Sequence, residues 1–448
     1  TGSYNSAFGR LALYANTTAS NNTAVGTSAL AANTTGHSNT ASGLNSLAAN
    51  TTGSYNAAHG LDALEDNTTG GSLAAFGAFA LANNTTANYN TACGQGSLYA
   101  NTTGDGNTAV GNDALKLNTT GANNTALGSY ALDVNTTANN NTAVGHHSLG
   151  ANTTAAGNTA LGYASLGANT TANNNTALGY YALFANTTAA GNTAVGAYCL
   201  DTNTTGDANV AVGYYALKAN TTAGNNSAFG YAALRQNTTA TNNSAFGYYA
   251  LNANTTANYN SAFGNSALLA NTTGVGSTAV GAYALDSNTT GTYNTGLGYY
   301  SGSAITTGSN NVTVGRLAGS GIEVASGCIA IGYNAISSNS ANTGSGNENI
   351  AIGDSSMLYM EGEKNIAIGA DTLYSTTTGN NNVAVGHQVL YYNTTGYSNA
   401  ALGHQALFSN TTGLRSVAIG LDALRLSTTG TYNVAIGSYA LDAATTAN

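Results

Sequence analysis

One stretch of the sequence sets the pattern for the whole chain: Asn22-Thr23-Ala24-Val25-Gly26-Thr27-Ser28-Ala29-Leu30-Ala31-Ala32-Asn33-Thr34-Thr35-Gly36-His37-Ser38. The same pattern begins again at Asn39, and the glycine that closes the Asn-Thr-Ala-Val-Gly motif recurs every 17 residues from Gly9 to Gly332. A short fixed period predicts a solenoid, in which each coil buries its apolar face only by stacking on its neighbours.

The first part of each repeat has the pattern of a short strand. We number the repeat from 1 to 17, starting at the leading Asn. Position 2 mostly holds Thr, Ser, Val or Ile, position 4 mostly holds Val, Leu, Ile or Phe, and position 3 is nearly always Ala. This alternation of β-branched residues is typical of a strand. Ala at position 3 and Gly at position 5 allow a close approach by the far wall of the coil or by another chain. The change from Thr to Val or Ile at position 2 downstream favours an inward-facing slot.

The second part of each repeat has a different composition. Positions 6 to 11 are rich in Ala, Leu, Lys, Arg, Gln and Asp, as in Tyr231-Ala232-Ala233-Leu234-Arg235-Gln236. This composition favours one turn of helix, and a tight second strand is the alternative. We expect Leu at position 9 to pack against the strand. The predicted fold is therefore all-β or mostly β: a parallel β-solenoid, or β-roll, of 17-residue coils, with or without a short helical turn in each.

The repeats divide the chain into three regions. Residues 1–298 form a regular array, residues 299–364 are irregular with a loop insertion, and residues 365–448 are regular with more apolar strands. The period slips once in the irregular region, and the extra residues fall between 337 and 349. Both ends of the sequence lie in mid-repeat, and because solenoids need polar capping units, we expect a segment of a longer chain.

The composition excludes several classes of function. Charged residues make up only 6% of the chain, the net charge is -9, and no basic stripe is present, so nucleic acid is not expected as a partner. No apolar run is long enough to span a membrane. We interpret the three cysteines as buried free thiols in slots for small side chains.

Catalysis has little support in the sequence. The carboxylates form no repeated pair, and the only histidine cluster, His146-His147, is best explained as two exposed polar residues. No nucleophile with a neighbouring base and no phosphate-binding loop is recognisable. The protein is therefore predicted not to be an enzyme, and no metal or cofactor site is predicted.

The corner of each repeat, Asn-Thr-Thr, has two interpretations. It is an N-glycosylation sequon, and glycosylation of the asparagine or of a threonine hydroxyl is one interpretation. The other is a ladder of stacked asparagine amides that bond from coil to coil. The asparagines concerned are Asn16, Asn33, Asn50, Asn67, Asn84, Asn101, Asn118, Asn135, Asn152, Asn169, Asn186, Asn203, Asn220, Asn237, Asn254, Asn271, Asn288, Asn393 and Asn410.

Tyrosines cluster at positions 6 and 7 of the repeat. A stacked aromatic strip is suited to contact between subunits, to covering the coil, or to binding sugars or another surface. The residues are Tyr180, Tyr181, Tyr198, Tyr214, Tyr215, Tyr231, Tyr248, Tyr249, Tyr299 and Tyr300.

The strand motif resembles the head repeat of trimeric autotransporter adhesins, and related repeats of phage and bacterial fibres that carry a chaperone-of-endosialidase domain. The residues that carry the resemblance are Asn382-Val383-Ala384-Val385-Gly386 and Ser416-Val417-Ala418-Ile419-Gly420. It implies a left-handed parallel β-roll, three chains around one axis, and attachment to host or other surfaces. The adhesin repeats are typically shorter than 17 residues, and the coiled-coil stalk and membrane anchor of that family do not occur in this sequence.

These observations predict a structural and adhesive repeat segment of an extracellular fibre or surface adhesin. Its stacked coils would form a long rod for surface attachment or display, outside the cell or at its surface. The expected partners are further copies of the chain, in a homotrimer or filament, and a glycan or host surface as ligand. The alternative is an ice- or polysaccharide-binding β-solenoid that uses stacked Thr or Tyr columns.

Overall fold

The protein is all-β. The computed structural model describes residues 2–337, 346–359 and 361–446, and these contain 26 parallel strands of three residues each and no helix. The chain has two compact units, Thr1–Asn225 and Asn226–Asn448, and each is a parallel β-solenoid. The predicted parallel β-solenoid of 17-residue coils is confirmed.

The first unit contains thirteen strands in chain order. They are β1 Ser6–Phe8, β2 Thr23–Val25, β3 Thr40–Ser42, β4 Ala57–His59, β5 Ala74–Phe76, β6 Thr91–Cys93, β7 Thr108–Val110, β8 Thr125–Leu127, β9 Thr142–Val144, β10 Thr159–Leu161, β11 Thr176–Leu178, β12 Thr193–Val195 and β13 Val210–Val212.

The second unit also contains thirteen strands among its described residues. They are β14 Ser227–Phe229, β15 Ser244–Phe246, β16 Ser261–Phe263, β17 Thr278–Val280, β18 Thr295–Leu297, β19 Val312–Val314, β20 Ile329–Ile331, β21 Ile350–Ile352, β22 Ile366–Ile368, β23 Val383–Val385, β24 Ala400–Leu402, β25 Val417–Ile419 and β26 Val434–Ile436.

Within each unit the strands stack in register, so that each position of the repeat lies over itself in the next coil. Ala7 pairs with Ala24, for example. The register survives the slip in period, because Ile329 pairs with Ile350 and Ile350 with Ile366. The changes in length therefore lie outside the strands. Most of the insertion predicted between 337 and 349 falls at residues 338–345, which lie outside the described residues.

Positions 6 to 11 do not form the predicted helical turn; that part of the prediction is wrong. The backbone here bonds mainly to the neighbouring coils: Ser28 N–H donates to Arg10 O at 2.8 Å and Leu30 N–H donates to Ser46 O at 3.0 Å. Ser28 and Leu30 have positive φ angles of 59° and 51°, which a right-handed helix does not contain. A left-handed leucine costs about 1–2 kcal/mol, and its full burial offsets this with about 1.5–3 kcal/mol.

The core is a single layer of small and large apolar side chains. Ala24 at position 3 and Leu30 at position 9 are both 0% exposed, as predicted for the leucine. The two columns lie in close contact, since a Cβ atom added at Gly296 would lie 2.9 Å from Cγ of Leu285. A small residue at position 3 therefore leaves room for the leucine at position 9 of the preceding coil.

The inward alanine places positions 2 and 4 on the outside of the sheet. Ile366 is half-buried and Ile368 is 39% exposed. The prediction that position 2 faces inward is therefore wrong. The apolar residues at position 2 indicated burial. In a three-residue strand, however, neighbouring side chains point to opposite faces, so only the middle one, at position 3, points inward.

Glycine at position 5 is required by close stacking. Gly26 has a φ of 138°, and a Cβ atom there would lie 2.3 Å from the carbonyl oxygen of Gly43 in the next coil. A similar clash would occur at every other glycine of this column except Gly437, so the glycines that mark the period lie where neighbouring coils approach closely.

Two coils of the second unit exchange the usual core residues. Position 9 is Gly302 and Gly319 instead of Leu, and position 12 is the fully buried Ile305 and Ile322 instead of Asn. A Cβ atom at Gly302 would lie 3.1 Å from Ile305 Cδ1, so the isoleucine fills space beside the glycine. The apolar volume has moved from one position of the coil to another, and the asparagine column is interrupted there.

Candidate functional site

The asparagines at position 12 form a buried ladder inside each unit. Asn50 Nδ2 donates to Asn33 Oδ1 at 2.8 Å, and Asn67 Nδ2 donates to Asn50 Oδ1 at 2.8 Å. Each amide also donates to the carbonyl oxygen at position 15 of its own coil, as Asn50 does to Gly53 at 3.0 Å. Every asparagine of the Asn-Thr-Thr set is 0% exposed except Asn16, which is half-buried at the start of the first unit.

A second ladder, at position 1, was not predicted from the sequence. The backbone N–H of Asn39 donates to Asn22 Oδ1 at 2.9 Å, and Asn39 Oδ1 accepts from the backbone N–H of Asn56 at 2.9 Å. The side-chain Nδ2 of Asn39 donates to Gly53 O at 2.8 Å. The carbonyl of Gly53 therefore receives hydrogen bonds from both Asn39 and Asn50. The regular recurrence of Asn at position 1 was the sequence signal for this ladder. Its hydrogen-bond partners could not be predicted, because they depend on how the coil closes.

The burial of position 12 argues against N-glycosylation of the folded chain. A glycan is attached through Nδ2, and in Asn50 this atom donates two hydrogen bonds within a fully buried side chain. A sugar at this atom would displace those bonds and need space that the stacked coils occupy. Among the two interpretations of the Asn-Thr-Thr corner, the geometry favours the amide ladder.

The two threonines of the corner differ in their surroundings. The position 13 hydroxyl is bonded along the stack, as in Thr34 Oγ1 to Thr51 O at 3.0 Å. The position 14 side chains are exposed, and their hydroxyls have no hydrogen-bond partner among the described residues. In the first unit this position is threonine in all thirteen coils: Thr18, Thr35, Thr52, Thr69, Thr86, Thr103, Thr120, Thr137, Thr154, Thr171, Thr188, Thr205 and Thr222.

The predicted tyrosines of the first unit lie in one continuous aromatic strip. Tyr163 stacks on Tyr180 with ring centroids 5.3 Å apart, and Tyr181 stacks on Tyr198 at 6.0 Å. The strip extends beyond the predicted residues to His146, His147 and Tyr130 in one direction, and it reaches Tyr214 and Tyr215 in the other. Among the tyrosines of the strip, the position 6 rings are exposed and the position 7 rings are half-buried.

The predicted tyrosines of the second unit form two separate groups. Tyr231 stacks on Tyr248 at 5.3 Å, with Tyr249 against both. Tyr299 and Tyr300 contact each other at 4.6 Å, and Tyr300 stacks on Tyr283. The stacked spacing follows from the distance between neighbouring coils, about 4.8 Å. The rings cover the outside of the coil at positions 6 and 7.

The histidines and cysteines are spread over both units. The rings of His146 and His147 lie 4.2 Å apart within the aromatic strip. Cys199 and Cys328 are buried free thiols, whereas Cys93 is exposed, because position 4 faces outward. That part of the cysteine prediction is wrong for Cys93. In the described ranges no three His, Cys, Asp or Glu side chains are grouped to hold a metal ion.

Aspartates at position 10 are the most perturbed carboxyl groups. Burial raises the pKa of Asp201 to about 6, against a smaller lowering by Lys218. The same cause raises the pKa of Asp286 to about 6. In both residues Oδ1 is buried without a hydrogen-bond partner, which disfavours the ionised form.

The outer face of the sheet becomes apolar in the later coils. From β19 to β26, positions 2 and 4 hold only Val, Ile, Leu and Ala. Ile419 is 38% exposed, Val383 is 42% exposed and Leu402 is 49% exposed. Parallel sheets normally have both faces covered. Here the position 9 side chains, which are leucine from Leu373 onward, lie against the inner face, and the described residues of the second unit place nothing over the outer face of these strands.

None of the described residues forms a helix with the length and apolar character that a membrane span requires. No protein-family model matches the sequence, and no curated protein is significantly similar to it.

Proposed function

We propose that this chain is a structural and adhesive repeat segment of an extracellular fibre or surface adhesin, and that it acts by self-association. The observation that carries the proposal is the uncovered apolar face of β19–β26. Its exposed side chains include Ile368, Leu402 and Ile419. Exposed apolar patches of this kind mark interaction surfaces, and the apolar face of a sheet is suited to packing against another sheet.

A second copy of the same chain is the proposed partner. Strands β19–β26 contain no charged residue, so the face offers no complement to a charged ligand. The stacked aromatic strip supplies further surface of the kind enriched at protein interfaces. The resemblance to adhesin heads supports three chains around one axis, a left-handed coil and a location outside the cell. A glycan or host surface is the proposed target of attachment.

Charge placed on the outer face tests this proposal. We expect the double variant Ile368→Lys/Ile419→Lys to weaken self-association by at least tenfold, because each lysine must then be desolvated at the interface. The matched control is Thr378→Lys/Thr429→Lys, which adds the same charge at exposed positions of the same two coils. Sedimentation velocity over a range of concentrations is the measurement. Equal association of the two double variants would refute the role of this face.

A second candidate function, ice or polysaccharide binding, is favoured by the threonine column at position 14. Its hydroxyls are exposed, have no partner among the described residues and recur in every coil of the first unit. Neighbouring hydroxyls are therefore spaced by the coil repeat, about 4.8 Å. Such a regular row is suited to an ordered array of water or sugar hydroxyls.

Ice growth distinguishes the two candidates. If the column binds ice, the chain produces thermal hysteresis and shapes ice crystals, and Thr103→Val/Thr120→Val/Thr137→Val reduces the effect. Absence of both effects in the unmodified chain removes ice binding. It leaves the self-association proposal untouched.

A further inference from the structure

A notch opens on the surface of the first unit beside Gly96. It has a volume of about 250 Å³ and is lined by Phe79, Gln95, Gly96, Tyr99, Asp113 and Lys116. All these side chains come from positions 6, 7 and 10 of three consecutive coils. We call this feature the Gly96 notch.

The notch exists because position 7 of the middle coil has no side chain. Gly96 has a φ of 65°, but the backbone does not require glycine there, since Phe79 and Asp113 occupy the same position with φ of 61° and 53°. A Cβ atom on Gly96 would lie 2.4 Å from Asp113 Oδ1. The carboxylate of Asp113 therefore leans into the space that a side chain would fill.

The lining combines aromatic rings with hydrogen-bonding groups. Phe79 and Tyr99 form an edge-to-face pair with ring centroids 6.5 Å apart. Lys116 Nζ lies 3.4 Å from Asp113 Oδ2, and the two side chains are 44% and 20% exposed. The ammonium group retains donors beyond this ion pair, the carboxylate retains acceptors, and the amide of Gln95 provides both.

We propose that the Gly96 notch is a binding site for a neutral saccharide. A sugar ring has a face of C–H groups that can lie on an aromatic ring and an edge of hydroxyls that both donate and accept hydrogen bonds. The notch offers these two surfaces together, as small-molecule sites commonly do. Asp113 and Lys116 neutralise each other, and the net charge of -9 on the chain disfavours acidic sugars.

A recess four repeats further along the chain shows what distinguishes this notch. It is lined by His147, Tyr163, Ala164, Tyr181, Phe184 and small residues at neighbouring positions, with a volume of about 280 Å³. It also has a small residue at position 7, but its lining contains no carboxylate, ammonium or amide side chain. Of these two cavities, the Gly96 notch is therefore the one that combines aromatic rings with a carboxylate, an ammonium and an amide side chain.

The inference deepens the proposed attachment function by naming its ligand class, and it can fail separately from self-association. The test is saturation-transfer difference NMR on the full chain with the methyl glycosides of glucose, galactose, mannose and N-acetylglucosamine. N-acetylneuraminic acid is the acidic comparison. The blocking variant is Gly96→Tyr, because Tyr130 occupies position 7 with a φ of 57° and the displaced atom belongs to the mobile end of Asp113. The matched control is Ser266→Tyr, the same change at position 7 of a coil in the second unit.

We expect a signal from at least one neutral glycoside with the unmodified chain and with Ser266→Tyr, and an affinity at least tenfold lower with Gly96→Tyr. Lys116→Met keeps the apolar stem and removes the donors, so it must also weaken binding even if Gly96→Tyr folds poorly. No signal from any neutral glycoside overturns the proposal, as does preference for the acidic sugar or unchanged binding in Lys116→Met. Light scattering on the same samples shows whether self-association is intact.

Discussion

Asn50 donates a hydrogen bond of 2.8 Å from its amide nitrogen to the amide oxygen of Asn33, and both side chains are fully buried. Because Asn67 repeats this bond to Asn50, each amide is at once a donor and an acceptor along the stack. A buried network of this kind is stabilising only when all its members are satisfied. The asparagine ladder thus joins neighbouring coils wherever position 12 is asparagine in both.

Removing one member of the ladder should destabilise its neighbours. Asn118 donates to Asn101 Oδ1 at 2.8 Å and accepts from Asn135 at 2.8 Å. We expect Asn118→Ala to cost about 2–3 kcal/mol, since Asn101 Oδ1 then remains buried without a partner. Because stability in solenoids is local, hydrogen exchange at the amides of Thr119 and Thr136 is the measurement.

The control for this prediction lies two residues away. Thr120 is exposed and its hydroxyl has no partner among the described residues, so Thr120→Ala should change stability by less than about 0.5 kcal/mol. If the two variants lose the same protection, the ladder does not stabilise the stack as argued.

The sequence predicted the period, the strands and the buried leucine, because these depend on residue type at regular spacing. It did not predict the direction of positions 2 and 4, since the inward place went to Ala24 and its equivalents. The helical turn was wrong because helix propensity describes local preference. Leu30 adopts a left-handed backbone conformation. This conformation becomes favourable because the backbone forms hydrogen bonds to adjacent coils and the side chain is fully buried.

The glycine column predicts a large difference between two adjacent coils. A Cβ atom at Gly420 would lie 2.4 Å from Gly437 O, whereas one at Gly437 would meet only Ala440 Cβ at 4.0 Å. Their φ angles are similar, 138° and 130°. We therefore expect Gly420→Ala to lower the melting temperature clearly more than Gly437→Ala, which adds only backbone strain. Equal losses would show that close stacking does not require the glycine.

The exchanged core residues predict a coupled pair. A Cβ atom at Gly319 would lie 2.3 Å from Thr313 Cγ2, and Thr313 replaces the usual alanine at position 3. Gly319→Ala should therefore cost about 1–3 kcal/mol by overpacking, and less when Thr313→Ala is also present. Urea denaturation of the two single variants and the double variant gives the coupling energy. Additivity within about 0.5 kcal/mol would contradict this account.

Acid should stabilise the fold through the position 10 aspartates. Burial raises the pKa of Asp201 and of Asp286 to about 6, above the value of about 3.9 for an unfolded chain. At pH values between these two pKa values, the folded state therefore binds more protons than the unfolded state does. The contribution of both groups is fully present below about pH 4 and is lost as the pH rises through about 6.

The measurement is the free energy of unfolding of the unmodified chain minus that of Asp201→Asn/Asp286→Asn, at several pH values between 4 and 8. We expect this difference to fall as the pH rises from 4 to 7 and then to level off. A difference that is constant, or that rises with pH, would show that the two carboxyl groups are not desolvated in the fold.

The candidate sites could be predicted only in part. The tyrosines and the position 12 asparagines were visible because they repeat. The Gly96 notch was not, because it arises from a single missing side chain whose space is bounded by Phe79 and Asp113 on the neighbouring coils. Position 14 threonine was visible as part of the Asn-Thr-Thr corner. Its difference from position 13 appears only when the hydrogen bonds of the two hydroxyls are known.

The solution mass of the unmodified chain, measured by multi-angle light scattering over a range of concentrations, tests the central claim most directly. We expect a mass of three chains, 3 × 44.4 kDa, or a larger polymer. The outer face of β19–β26 would then be covered by other copies. A mass of 44.4 kDa at every concentration would contradict self-association and leave that face without the partner proposed for it.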